Sequence, residues 1–177
     1  RRGYNKQAVG LLHKAIVAAQ ALGDRQSECT HLLNLGYSYA LLSLYSDALA
    51  QYGYCLELAT DLEDRTTQGK CSGLMGFVHD NVGDYPNAIK YYENAYQITR
   101  SLNDKVGQGQ WLGSMAGTYR TIGDTEQAVR LYTQAIALAR RIGDRTNECV
   151  HLSNLGNAHR SWGEHQTALD NYEQALT

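Results

Sequence analysis

An offset of 40 residues lays this chain over itself from end to end, and no other feature constrains its fold as tightly. Gly23-Asp24-Arg25 returns as Glu63-Asp64-Arg65, Asn103-Asp104-Lys105 and Gly143-Asp144-Arg145. Leu35-Gly36 returns as Met75-Gly76, Met115-Ala116 and Leu155-Gly156. Ala8 returns as Ala48, Ala88, Ala128 and Ala168, and Tyr52 as Tyr92, Tyr132 and Tyr172. A fixed period of this length marks a stack of supersecondary units that complete each other's cores.

Each unit reads as two helices. Helix A spans about Arg25 to Leu42, with Cys29, Leu32, Leu35, Tyr39 and Leu42 on one face at the 3–4 spacing of an amphipathic helix. Helix B spans about Asp47 to Leu62, with Ala48, Leu49, Tyr52, Cys55, Leu56, Ala59 and Leu62 as its stripe. Gly23, Gly83, Gly123, Gly143 and Gly163 stand where helices must stop, because glycine takes the left-handed cap conformation cheaply. Asp24, Asp64, Asp104 and Asp144 follow as N-caps. Pro86 falls in the first turn of a helix B, where its missing N–H costs little. The series Gly36, Gly76, Ala116, Gly156 lets helix A approach helix B closely, and tyrosines fill the space between, their hydroxyls reaching an edge. The predicted fold is therefore all-α: a right-handed α-solenoid of antiparallel helix pairs with about nine helices. It forms a single array, with a lone helix B over 1–22, repeats over 23–62, 63–102 and 103–142, and a truncated fourth over 143–177.

Composition narrows the function. A net charge of −2 and a pI near 6.3 leave no basic field for nucleic acid. No run of about 18 apolar residues is present to cross a membrane. The chain opens Arg1-Arg2-Gly3-Tyr4, already inside a helical pattern and without a starting Met or a signal peptide, which reads as a segment of a longer protein. Cys29, Cys55, Cys71 and Cys149 lie on predicted helices with no C-x-x-C pair, and read as buried reduced thiols rather than a disulfide or zinc set. No H-E-x-x-H and no G-x-x-x-x-G-K occurs. His31 and His151 are equivalent by repeat, as are His79 and His159, which points to packing; the first pair should face the preceding repeat in the same series as Cys71 and Trp111. The stretch His159 to His165 carries ligand-type side chains but straddles a helix–turn junction, so no metal or cofactor is expected. No catalytic residue can be argued by spacing.

Leu32, Leu35-Gly36 and Tyr39, followed by Ala48, Tyr52 and Cys55, resemble the tetratricopeptide repeat family, as do Leu152, Leu155-Gly156 and His159 followed by Ala168, Tyr172 and Ala175. That family's consensus reads Trp/Leu-x-x-Leu-Gly-x-x-Tyr, then Ala-x-x-x-Phe/Tyr-x-x-Ala. Its usual period is about 34 residues. The longer unit here lacks a proline closing helix B, and the phrase from Gly143 to Ala158 is similar to the repeats of Pins/LGN-type polarity adaptors and of long bacterial arrays attached to signalling ATPases or proteases. The resemblance implies a cytoplasmic, non-catalytic scaffold or adaptor that binds a peptide or helix of a partner. Two other settings stay open: a regulatory or sensor array of a larger signalling ATPase or protease, and self-association through exposed ends.

In the family, helix A lines a concave groove. Matching its outward positions onto this sequence gives Leu33, Asn34, Tyr37, Leu41, Leu74, Phe77, Asp80 and Asn81 in the first two repeats. The last two give Ser114, Arg120, Asn154, Asn157 and Arg160. The first half is apolar and the second polar and basic, so the expected partner carries apolar residues at one end and carboxylates at the other. Asn34 and Asn154 can pair with both sides of a ligand peptide unit. Gly73, Gly113 and Gly117 also fall on this line, either leaving it bare for a ligand's close approach or loosening the helices until something binds.

Overall fold

The computed structural model describes the backbone of residues 2–176 and the side chains of residues 7–176. Among them the chain is all-α, with no strand. The helices are α1 (Arg2–Leu22), α2 (Arg25–Leu41), α3 (Tyr45–Asp61), α4 (Arg65–Asn81), α5 (Tyr85–Ser101), α6 (Lys105–Thr121), α7 (Thr125–Ile142), α8 (Arg145–Ser161) and α9 (His165–Leu176). The even-numbered helices are the A elements and the odd-numbered the B elements. Helix B begins at Tyr45, two residues before the position read from the apolar stripe, because backbone geometry extends the helix past its buried face.

The packing divides the helices into two compact units, Arg1–Asp84 and Tyr85–Thr177. In the first, Cys29, Leu32, Leu35, Cys55 and Cys71 form one buried cluster and Ala48, Tyr52 and Val78 another. In the second, Tyr92, Leu112 and Met115 form one, and Tyr132, Ile136, Leu152 and Leu155 the next. The boundary falls after α4, between the two helices of the 63–102 pair.

Small residues permit these contacts. A Cβ at Gly36 would lie 2.5 Å from Tyr52 Cε1, and one at Gly156 the same distance from Tyr172 Cε1. The tyrosine ring thus occupies the volume that an alanine methyl would take. The hydroxyls diverge: Tyr172 donates to Asn157 Oδ1 at 2.9 Å, whereas Tyr52 Oη is buried with no hydrogen-bond partner. The expectation that each hydroxyl reaches an edge fails at Tyr52, whose residue is fully covered.

Helix ends follow the sequence punctuation. Asp24, Asp64, Asp104 and Asp144 each accept the backbone N–H of the third residue on, at 3.0 to 3.1 Å. Asp124 caps α7 in the same way through Gln127. Ser43, Glu63 and Asn103 take the left-handed conformation that glycine takes at the other ends.

One buried polar position ties each helix A to the helix before it. Gln68 Nε2 donates to the Ala59 carbonyl at 3.1 Å, and Gln108 Nε2 to the Thr99 carbonyl at 3.3 Å. In the outer repeats the same position is Glu28, accepting from Gln20 at 2.6 Å, and Glu148, accepting from Arg140 at 2.6 Å and Arg145 at 3.2 Å. The Arg140 hydrogen bond, opposed by burial and reinforced by Arg145, holds the Glu148 carboxyl below its usual range.

All four cysteines are free thiols. Cys29 donates to the Cys55 carbonyl and Cys55 to that of Cys29, at 3.9 and 3.4 Å. Burial first, then the neighbouring Cys55, pushes the Cys29 thiol up to about 12.

Candidate peptide-binding faces

In the first unit α2 and α4 carry the apolar members of the predicted site. Tyr37 is 50% exposed, Leu41 52% and Phe77 41%, and Tyr37 and Phe77 occupy equivalent positions one repeat apart. Leu33 and Leu74 are not exposed in this way: both are half-buried and pack against the core clusters, Leu33 against both of them. Both side chains turn toward the core, so the outward apolar surface is narrower than the spacing suggests. Asn34 and Asn81 are exposed, and Asn81 donates to the Phe77 carbonyl at 2.8 Å, closing the last turn of α4. Asp80 is half-buried beside it.

In the second unit, Ser114 and Arg120 lie on α6 and Asn154, Asn157 and Arg160 on α8. Arg120 and Arg160 are exposed in the last turns of their helices, where a cation complements the free carbonyls. Neither enters an ion pair among the described residues. Asn157 is half-buried, and its oxygen accepts from Tyr172.

Two glycine readings change. A Cβ at Gly113 would lie 2.5 Å from His151 Cε1, so this glycine seats the imidazole of the following helix A. Gly113 therefore has a packing role and is not bare surface. Gly73 is buried. Gly117 meets only Tyr132 Oη, at 3.6 Å, an ordinary contact.

His79 Nδ1 pairs with Asp84 at 3.0 Å and His159 Nδ1 with Glu164 at 2.6 Å, so each latches a helix A to the turn beyond it. His151 behaves differently. It is buried, neither ring nitrogen has a partner, and burial lowers its pKa, with the Asp144 charge opposing weakly. Its ring remains neutral at neutral pH. A depression of about 460 Å³ between α6 and α8 is lined by His151, Trp111, Gly113, Ser114 and Asn154. Sequence reasoning missed this feature and the buried polar position at residues 28, 68, 108 and 148. The signal for the depression was a glycine followed 38 residues later by a histidine, which the 40-residue register hides.

No described helix is long and apolar enough to cross a membrane. A tetratricopeptide repeat family model matches residues 71–141. No curated protein matches the chain in sequence. Among solved structures, aspartyl phosphate phosphatase F from Bacillus subtilis matches with a TM-score of 0.91 at 15% identity, over 99% of this chain and 48% of that one. BtubC (BKLC) from P. vanneervenii matches with a TM-score of 0.86 at 17% identity, over 98% of this chain and 72% of that one. A signal transduction ATPase of the STAND class with a tetratricopeptide repeat sensor, from Pyrococcus horikoshii, matches with a TM-score of 0.82 at 15% identity, over 97% of this chain and 27% of that one. These likenesses concern the fold. Residues 71–141 match the tetratricopeptide repeat family, and the helix pairs that recur at 40-residue intervals around them share its fold.

Proposed function

We propose that the array is a non-catalytic interaction scaffold that holds a peptide or helix of a partner protein on its helix-A faces. The observation that carries this is the outward display of Tyr37, Leu41 and Phe77 on α2 and α4. Large side chains held half in water at repeating positions gain by being covered. In the second unit the corresponding face offers Arg120, Asn154, Asn157 and Arg160, which suits carboxylates and amides. A partner with apolar residues and acidic residues fits both. Four free thiols, three of them buried, fit a reducing compartment, and we place the protein in the cytoplasm. The STAND protein's sensor supports a second setting, in which the array regulates a larger enzyme through the same faces.

Selection from a random peptide library on the wild-type chain tests the reading. Selected peptides should combine apolar with Asp or Glu residues. Tyr37→Ala with Phe77→Ala should remove the apolar preference, and Arg120→Ala with Arg160→Ala the acidic one. Identical selections from wild type and both variants would show that these faces are not used.

A further inference from the structure

The second unit has an apolar groove between two of its B elements, apart from the helix-A faces. α5 and α7 each pack against α6, yet no Cα of α5 comes within 8 Å of one on α7. The gap between them holds two hollows, of about 390 and 210 Å³, which share Tyr96, Leu112 and Gln134 and so form one groove. Leu112 and Met115 of α6 lie at its floor, 3% and 6% exposed. Tyr96, Leu131 and Leu138 are half-buried walls that pack against the same core cluster. Water held over such a floor is released when an apolar side chain takes its place.

The dimensions and the charges define what fits. Leu131 lines the smaller hollow and Leu138 the larger, seven residues apart on α7. Seven residues of helix advance about 10 Å, and a second helix laid alongside presents side chains on one face at that same interval. An extended strand repeats on one face about every 7 Å and falls out of step with the hollows. Glu93 borders the smaller hollow and Arg141 the larger. Both are exposed, and neither enters an ion pair among the described residues. In the 40-residue register Glu93 matches Thr133, so the two charges stand about 12 Å apart along the helices. A compact ligand would meet one hollow and one charge, whereas an elongated one meets both.

The direction follows from the charges. Helices favour acidic residues in their first turn and basic ones in their last. An occupant with its N-terminus at Arg141 and its C-terminus toward Glu93 satisfies that preference and both groove charges together. It then runs opposite to α5 and α7, as α6 does. We propose that this groove docks an amphipathic helix of a partner protein, antiparallel to α5 and α7. Apolar side chains seven residues apart fill the two hollows, an acidic residue near the N-terminus meets Arg141, and a basic residue near the C-terminus meets Glu93. The surface is separate from the helix-A faces, so it stands or falls independently of them.

Two displayed peptide libraries test the docking on the full chain. One randomises a single face of alanine-rich peptides of about 18 residues, long enough to form helix; the other randomises alternate positions of extended peptides. Gln134 is exposed and shared by both hollows, so Gln134→Trp plugs the groove without entering the core. Helical clones should bind wild type at least about tenfold more tightly than Gln134→Trp, the loss expected when anchors lose their pockets. Those clones should carry apolar residues seven apart, Asp or Glu toward the N-terminus and Lys or Arg toward the C-terminus. Glu93→Lys with Arg141→Glu leaves the apolar floor intact and should select the reverse charge order. Tyr37→Ala with Phe77→Ala should leave the same clones bound. The proposal is overturned if no helical clone distinguishes wild type from Gln134→Trp, if the groove-dependent clones come from the extended library, or if the double reversal leaves the charge order unchanged. A dimer of the chain that Gln134→Trp dissociates would also overturn it, by showing a second copy in the groove.

Discussion

At Gly36 one added methyl would sit 2.5 Å from the Tyr52 ring, and that ring is fully buried. Neither partner can give way, because Tyr52 is wedged among Ala48, Ala40 and Val78. Gly36→Ala is therefore expected to destabilise the protein by about 1–3 kcal/mol, the usual cost of overpacking, read as a lower thermal midpoint. Gly53, in the middle of α3, is the opposite case: nothing lies within 4 Å of a Cβ built there. Gly53→Ala should raise stability by about 0.5–1 kcal/mol through helix propensity alone. The contrast separates glycines that a neighbour requires from those that the helix merely tolerates. Gly113 belongs to the first kind, and its pairing with His151 was invisible from sequence because the two lie on different repeats at an offset unlike the period.

At the level of the helix, much was legible and for definite reasons. The aspartate caps and glycine stops were readable because their chemistry is local: one side chain and the next three residues decide it. The junction position at 28, 68, 108 and 148 was not, because a Glu or Gln on an amphipathic helix reads as a water-facing residue until its partner on the preceding helix is seen. Exposure of Leu33 and Leu74 was misread for a related reason. Position in the repeat fixes an angle around the helix, but neighbouring side chains decide whether that angle meets water. Two substitutions test the helix ends. Glu63 stands at φ 55 where five other ends use glycine. Glu63→Gly should stabilise by about 1 kcal/mol by removing left-handed strain. Asp64 accepts from the Thr67 amide at 3.0 Å, the Thr67 hydroxyl at 2.6 Å and Gln26 at 3.1 Å. Asp64→Ala should cost about 1 kcal/mol, measured by denaturant unfolding at neutral pH.

Across the molecule these groups combine into a pH profile. Burial would raise the Asp64 pKa, but the hydrogen bonds from Thr67 and Gln26 outweigh it and the value is lowered. Glu148 and His151 are lowered as well. In all three the unfolded chain takes up a proton before the folded one does. Stability should begin to fall below about pH 6.5 as unfolded His151 protonates, and fall further below about pH 4.5 as the carboxylates do. Cys29, raised to about 12, and Tyr52, raised by burial, act at the other end. Their stabilising effect is complete below the unfolded values near 8.5 and 10 and is lost as pH rises through the folded ones. Unfolding midpoints measured under reducing conditions should form a plateau between about pH 6.5 and 8.5, and His151→Phe should extend the acid edge of that plateau. The junction bonds have a different consequence, one for the history of the chain. Gln68 reaches a backbone carbonyl, Ala59, which every preceding helix supplies at the same place. Removing residues 25–64 would bring Gln68 against Ala19 with its bond still available, whereas a cut that is not a whole number of periods would strand it. Such a chain can be lengthened or shortened by recombination only in whole steps of its own period.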